Sequence, residues 1–184
     1  MFPALPTLRA FYGTSIHSCM ECDGYEYAGK PLALIGETDD LVERAILLTQ
    51  WTPDITIFTN GVASLSEADE MDLATRGILV DRRPLADVVG DRDGLQGVQP
   101  VDGDLVPVSG AFVRPVYQPM LDYLAPLSVE TDDEGLLIVD GSGRTSVPGL
   151  FAAGDATPPG PQQLIVAAGT GARVAAAVSR DLLG

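Results

Sequence analysis

The chain has 184 residues, 46% of them hydrophobic and 20% charged, and 11 Lys and Arg stand against 26 Asp and Glu for a formal charge of -15. That length allows one domain or two small ones, and the composition excludes a disordered tail. So acidic a surface repels phosphate backbones and anionic lipid, which excludes nucleic-acid and membrane-surface partners. No apolar run reaches spanning length, and the start MFPALPTLRA lacks the basic end and apolar stretch of a signal peptide. The expectation is an acidic, cytoplasmic α/β protein.

Pro3 and Pro6 keep the first residues extended, and Leu5, Leu8, Phe11 and Tyr12 form a short docking turn. Leu32-Ala33-Leu34-Ile35-Gly36, a short apolar run ending in Gly, reads as a buried parallel strand. From Thr38 the period changes: Leu41, Ala45, Leu48 and Trp51 predict a core-facing helix capped by Thr38 or Asp39 and closed by Pro53. Ile55-Thr56-Ile57-Phe58 completes a βαβ unit. A second helix over 66–76 stops at Gly77, before a strand over 78–80. Short apolar runs and Asp-Gly turns over 84–109 predict an antiparallel meander. Then come a strand at 111–113, a short helix over 120–127, and strands over 136–139 and 150–153. The stiff loop Thr157-Pro158-Pro159-Gly160-Pro161 leads to a last helix over 163–183, apolar nearly all round and so expected to be enclosed by neighbours.

The only two cysteines sit three apart in Cys19-Met20-Glu21-Cys22, a spacing that random placement gives about once in a hundred. So short a loop removes little unfolded-state entropy, so a stapling role explains it poorly. A redox dithiol is the best reading. A zinc site using His17, Cys19, Cys22 and Asp23, or two plain buried cysteines, remain as alternatives. His17 reads either as a base for the thiol or as a surface or packing residue.

Cys19-Met20-Glu21-Cys22-Asp23-Gly24-Tyr25, followed by Gly29-Lys30 and a strand–Gly–helix unit, resembles the pyridine-nucleotide domain of low-molecular-weight thioredoxin reductases. Val147-Pro148-Gly149-Leu150-Phe151-Ala152-Ala153-Gly154-Asp155 resembles the same family's flavin-binding signature, with Gln162-Gln163-Leu164 and Ala167-Ala168-Gly169-Thr170-Gly171 after it. The resemblance implies an α/β, three-layer Rossmann-like NAD(P)/FAD-binding fold with a small antiparallel β-meander, plus the C-terminal piece of an FAD-binding domain. On that pattern residues 1–15 are a crossover linker, 16–110 an NAD(P)-type domain carrying the CxxC, and 111–184 the closing segment of the flavin domain. It further implies that Cys22 takes electrons from FAD, that Cys19 exchanges with a disulphide on a thioredoxin-like protein or small molecule, and that Asp23 shuttles the proton. Gly154, Asp155, Gln162, Gln163 and Leu164 are then the flavin contacts, and Gly36 belongs to the nucleotide loop.

The chain departs from that pattern in two places. No GxGxxG loop precedes Cys19, which implies a truncated or split enzyme, half of a flavin site, and a homodimer or a complementing flavin half as partner. In Gly36-Glu37-Thr38-Asp39-Asp40-Leu41 only the first loop glycine survives, and three carboxylates stand where a pyrophosphate docks. Thr59-Asn60-Gly61 replaces the His-Arg-Arg of NADPH-specific members, so NADPH is disfavoured. Two further functions stay open: a flavin-free CxxC thiol–disulphide protein, and a degenerate, non-enzymatic association module.

Overall fold

In the computed structural model, which describes residues 1–158 and 160–184, Pro159 of the proline-rich loop lies outside the described residues. The chain forms two units, Met1–Val116 and Tyr117–Gly184. The first holds, in order, α1 (Leu8–Phe11), β1 (Ile16–His17), α2 (Met20–Asp23), β2 (Leu32–Ile35), α3 (Leu41–Leu48), β3 (Ile55–Phe58) and α4 (Glu67–Thr75). It continues with β4 (Leu79–Asp81), β5 (Leu85–Asp91), β6 (Gly94–Pro100), β7 (Val106–Pro107) and β8 (Gly110–Val113). Five strands make a parallel sheet in the order β1-β8-β2-β3-β4, and β5-β6-β7 make an antiparallel one.

The central strands are apolar at successive positions because both faces of the parallel sheet are covered. Leu32 and Leu34 of β2 join a core with Leu41, Ala45 and Leu48 of α3 and Leu73 of α4. Their neighbours Ala33 and Ile35 join a second core with Leu5, Leu8, Leu85, Val88, Leu95 and Val98. Alternate residues of one strand thus serve opposite layers, as a period of two requires. Helices, parallel sheet and meander give the three-layer α/β arrangement expected from the sequence. Strand β8, which the sequence places in the following segment, sits between β1 and β2, with Ala111 opposite both Ile16 and Ala33.

Helix α3 starts later than its pattern suggests. Neither Thr38 nor Asp39 caps it; Asp40 holds the cap position and makes no cap bond. The Asp40 carboxylate instead accepts from Thr38 Oγ1 at 2.6 Å and from Arg114 Nε at 2.7 Å. A charged guanidinium partner outcompetes a neutral helix amide for that carboxylate. Trp51 lies beyond the helix, half-buried at the edge of the core rather than within it. Helix α4 is as predicted, with Ser66 and Asp69 forming a reciprocal capping box.

The second unit holds two short 3-10 turns, Asp122–Leu127 and Gly154–Ala156, and one long helix, α5 (Leu164–Leu183). Pro126 denies the first turn the amide an α-helix needs, so the helix predicted over 120–127 is a tighter turn. The strands predicted over 136–139 and 150–153 are reduced to the single bridges Thr131–Leu137 and Arg144–Phe151. Their amides bond outside any ladder instead: Leu137 donates to Ala156 O at 2.9 Å, and Leu150 to Val147 O at 3.0 Å. Apolar runs become ladders only where a neighbouring strand accepts their hydrogen bonds. Helix α5 is also open where the sequence predicts enclosure, with Leu164 90% and Leu183 87% exposed and Ala177 its one buried residue among those described. Arg144 ties its last turn down, donating to both carboxylate oxygens of Asp181 at 2.8 and 2.5 Å. No helix among the described residues is long and apolar enough to cross a membrane.

Candidate functional site

Cys19 stands at the N-cap position of α2, and three residues on, within the same helical turn, Cys22 faces the same side. The two are joined in a disulphide with Cα atoms 5.2 Å apart. Cys22 is exposed and Cys19 half-buried, which removes the reading of two plain buried cysteines. The zinc alternative loses its donors, since the sulfurs are bonded to each other and His17 is engaged elsewhere. Buried Met20 anchors the turn in the core. Gly24 completes the motif for a steric reason: a Cβ there would collide with the Trp51 indole.

The last position of β1 carries His17, only 8% exposed, so it is not a surface residue. Its Nδ1 lies 3.4 Å from Asp23 Oδ2 and its Nε2 lies 3.1 Å from the Tyr27 hydroxyl, which donates to Thr14 O at 3.1 Å. Burial, then the charges of Glu26 and Asp23, raise the Tyr27 pKa above 10.0. The folded chain thus holds the Tyr27 proton more tightly than the unfolded one does. That contribution to stability is intact below the ordinary tyrosine range and is lost as pH rises through the higher folded value. In an ultraviolet pH titration Tyr27 is expected to ionise after the other tyrosines, and Tyr27→Phe to remove this last step; an unchanged curve in the variant would refute the assignment.

Gly36 ends β2, and the loop after it is closed by its own side chains. Glu37 accepts from Asn60 Nδ2 at 2.7 Å, while Asn60 Oδ1 accepts from Leu85 N at 2.7 Å. Asp40 is held by Thr38 and Arg114 as above. The nearby cations are also engaged: Arg82 pairs with Glu70, and Arg83 bonds Asp81, Asp102 and Asp104. Carboxylates thus line this loop, and the Arg82 and Arg83 guanidinium groups are already taken up by acidic partners.

In the second unit, a cavity of about 240 Å³ is lined by Asp140, Gly154, Asp155, Gln162, Val166 and Arg173, among others. Gly154 has φ +69°, a left-handed backbone that glycine adopts without strain. Its N–H donates to Thr170 Oγ1 of α5 at 3.1 Å. Gln163 makes no side-chain cap, and the first ladder bond of α5 runs from Ala167 N to Gln163 O, so the amides of residues 164–166 lie outside the helical ladder. A carboxylate for hydroxyl groups, a close-approach glycine and open amides suit a flavin nucleotide, and these residues fit FAD. Gly154, Asp155 and Gln162 thus share one cavity; Gln163 and Leu164 open α5 beside it without lining it, and Gly36 belongs to the other unit. Sequence reasoning missed Arg173, whose signal was a basic residue inside an apolar helix. It also missed Tyr27, whose partners come from elements apart in sequence.

Residues 2–171 match the family described as pyridine nucleotide-disulphide oxidoreductase. Thioredoxin reductase of Listeria monocytogenes is 30% identical over 167 residues, covering 86% of this chain and 52% of that protein. Mitochondrial thioredoxin reductase 1 of Arabidopsis thaliana is 34% identical over 178 residues, covering 90% and 47%. Among solved structures, TrxB of Bacillus anthracis superposes with a TM-score of 0.91 at 32% identity, covering all of this chain and 61% of its own. The chain thus spans about half the length of the curated relatives it matches.

Proposed function

We propose, given that this chain belongs to the thioredoxin reductase-like pyridine nucleotide-disulphide oxidoreductase family, that it is the disulphide-bearing part of a flavin-dependent oxidoreductase. The observation that carries this reading is the disulphide Cys19–Cys22, held on the same short helical turn as Asp23, whose carboxylate lies 3.4 Å from the buried His17. Bound FAD would supply a two-electron couple to that disulphide. Asp155, Gln162, the Gly154 turn and the open amides of α5 would hold it as one wall of its site, the remaining wall coming from a complementing flavin-binding segment or a second copy. Cys22, the more exposed residue of the two, would face the flavin, and Cys19 would exchange with a disulphide of a thioredoxin-like protein or a small molecule. Only a thiolate attacks a disulphide, and the departing thiolate needs a proton, which Asp23 would provide. The loop over 36–41 argues against NADPH as the electron donor to this unit.

Gel filtration after mixing with FAD tests the flavin assignment. A complementing flavin-binding segment is expected to raise the FAD that co-elutes with the chain, and Asp155→Ala to lower it at least tenfold. Equal retention by the variant and the parent would refute the assigned wall.

A further inference from the structure

The two cysteines lie in an acidic stretch: residues 18–27 carry Glu21, Asp23 and Glu26 and no Lys or Arg. Glu21 stands between the cysteines in α2, and its Oε2 lies 4.0 Å from Cys19 Sγ. In the disulphide that sulfur has no hydrogen to offer, so a bare carboxylate faces the atom assigned to substrate exchange. Glu21, Cys22 and Glu26 are all exposed, so a reagent reaching the disulphide passes these charges. Two cations border the turn and donate to main-chain oxygens, Arg44 Nη2 to Ser18 O at 3.0 Å and Lys30 Nζ to Glu26 O at 3.1 Å. The chain as a whole, at a formal charge of -15, adds a field of the same sign as the carboxylates.

We propose that Glu21 is a specificity-determining residue: it selects disulphides that carry positive charge beside their sulfurs and turns anionic ones away. This deepens the reading of Cys19–Cys22 as the redox centre and rests on it, but not on FAD binding. In the exchange the reduced Cys19 thiolate attacks one sulfur of the substrate disulphide, forming a mixed disulphide and releasing one substrate thiolate. Cys22 loses its proton to solvent and attacks Cys19 Sγ, closing the Cys19–Cys22 bond and releasing the second. The substrate disulphide is reduced by two electrons and the protein dithiol oxidised by two. A unit charge on the substrate, roughly 7 Å from the Glu21 carboxylate in water, changes the rate about threefold. A cation gains that factor and an anion loses it, so the two should differ about tenfold.

The test uses the full chain, reduced with dithiothreitol, freed of that reagent and kept without flavin. It is mixed near pH 8 with cystamine, hydroxyethyl disulphide or dithiodiglycolate, which are cationic, neutral and anionic. Each rate is divided by that of 2-mercaptoethanol with the same disulphide, which cancels intrinsic reactivity. At low ionic strength the cystamine-to-dithiodiglycolate ratio is expected to be about tenfold or more, and to fall toward unity in about 1 M salt, where screening acts within about 3 Å. Glu21→Gln should lower the ratio about threefold or more, and Glu21→Lys should lower it further. A merely structural role for Glu21 would slow all three reagents alike and leave the ratio in place. A disulphide-bridged peptide with flanking lysines, run against its glutamate counterpart, separates the two substrate sources. A wider gap in the peptide pair than between the small reagents assigns a protein disulphide, and a narrower one a small molecule. An equal ratio in the parent and in Glu21→Gln, or a parent ratio that salt leaves unchanged, would overturn the proposal while the redox reading stands. No exchange with any of the three reagents would overturn both. The salt series needs only the parent chain, so the proposal can fail even where a variant does not fold.

Discussion

Cys22→Ser is expected to abolish catalysed exchange between dithiothreitol and an aromatic disulphide, by on the order of a thousandfold or more. Serine cannot form the sulfur–sulfur bond that stores the two electrons, so no cycle remains. The variant should nonetheless fold. Its lost bond closes a loop of four residues, worth about 2 kcal/mol in the chain-entropy model, and buried Met20 still anchors α2. The two single variants should differ in a way that assigns the sulfurs. With Cys22 gone, Cys19 can still attack substrate and should accumulate as an unresolved mixed disulphide, visible by mass spectrometry. With Cys19→Ser no such adduct should build up. Residual turnover in Cys22→Ser, or adduct formation only in Cys19→Ser, would reverse the roles proposed for the two sulfurs.

Phe112→Ala should destabilise the first unit by about 3–5 kcal/mol, the range for emptying a buried phenylalanine site. Phe112 is fully buried in β8, between β1 and β2, and packs with the core that includes Leu34, Leu41 and Tyr27. Its ring also lies 6.0 Å from that of His17 and 6.3 Å from that of Tyr27, centre to centre. The same cavity would therefore loosen the packing around His17 and Tyr27 as well as the fold. A urea midpoint lowered by less than Phe112→Leu lowers it would contradict this packing. So would a His17 imidazole spectrum left unchanged by the alanine variant.

How legible the molecule was in its sequence depended on how local each feature is. The βαβ unit follows from a change of apolar period at Thr38, because helix and strand periodicities are written into consecutive residues. The capping box at Ser66 and the CxxC are equally local, since their partners lie three residues away. Residues 136–139 and 150–153 misled because an apolar run does not say whether a strand lies beside it, and here only single bridges form. Asp40 misled similarly: its side chain would suit a cap, and only Arg114, 74 residues away, takes it elsewhere. By itself, then, the sequence determined the parallel α/β core and the close cysteine pair. Tertiary structure alone decided that β8 enters the middle of the sheet, and that Tyr27 bonds His17 and Thr14 while Asp23 lies 3.4 Å from the same ring. The physical reason is that those contacts join side chains from separate elements, and their value depends on burial, which no local pattern encodes.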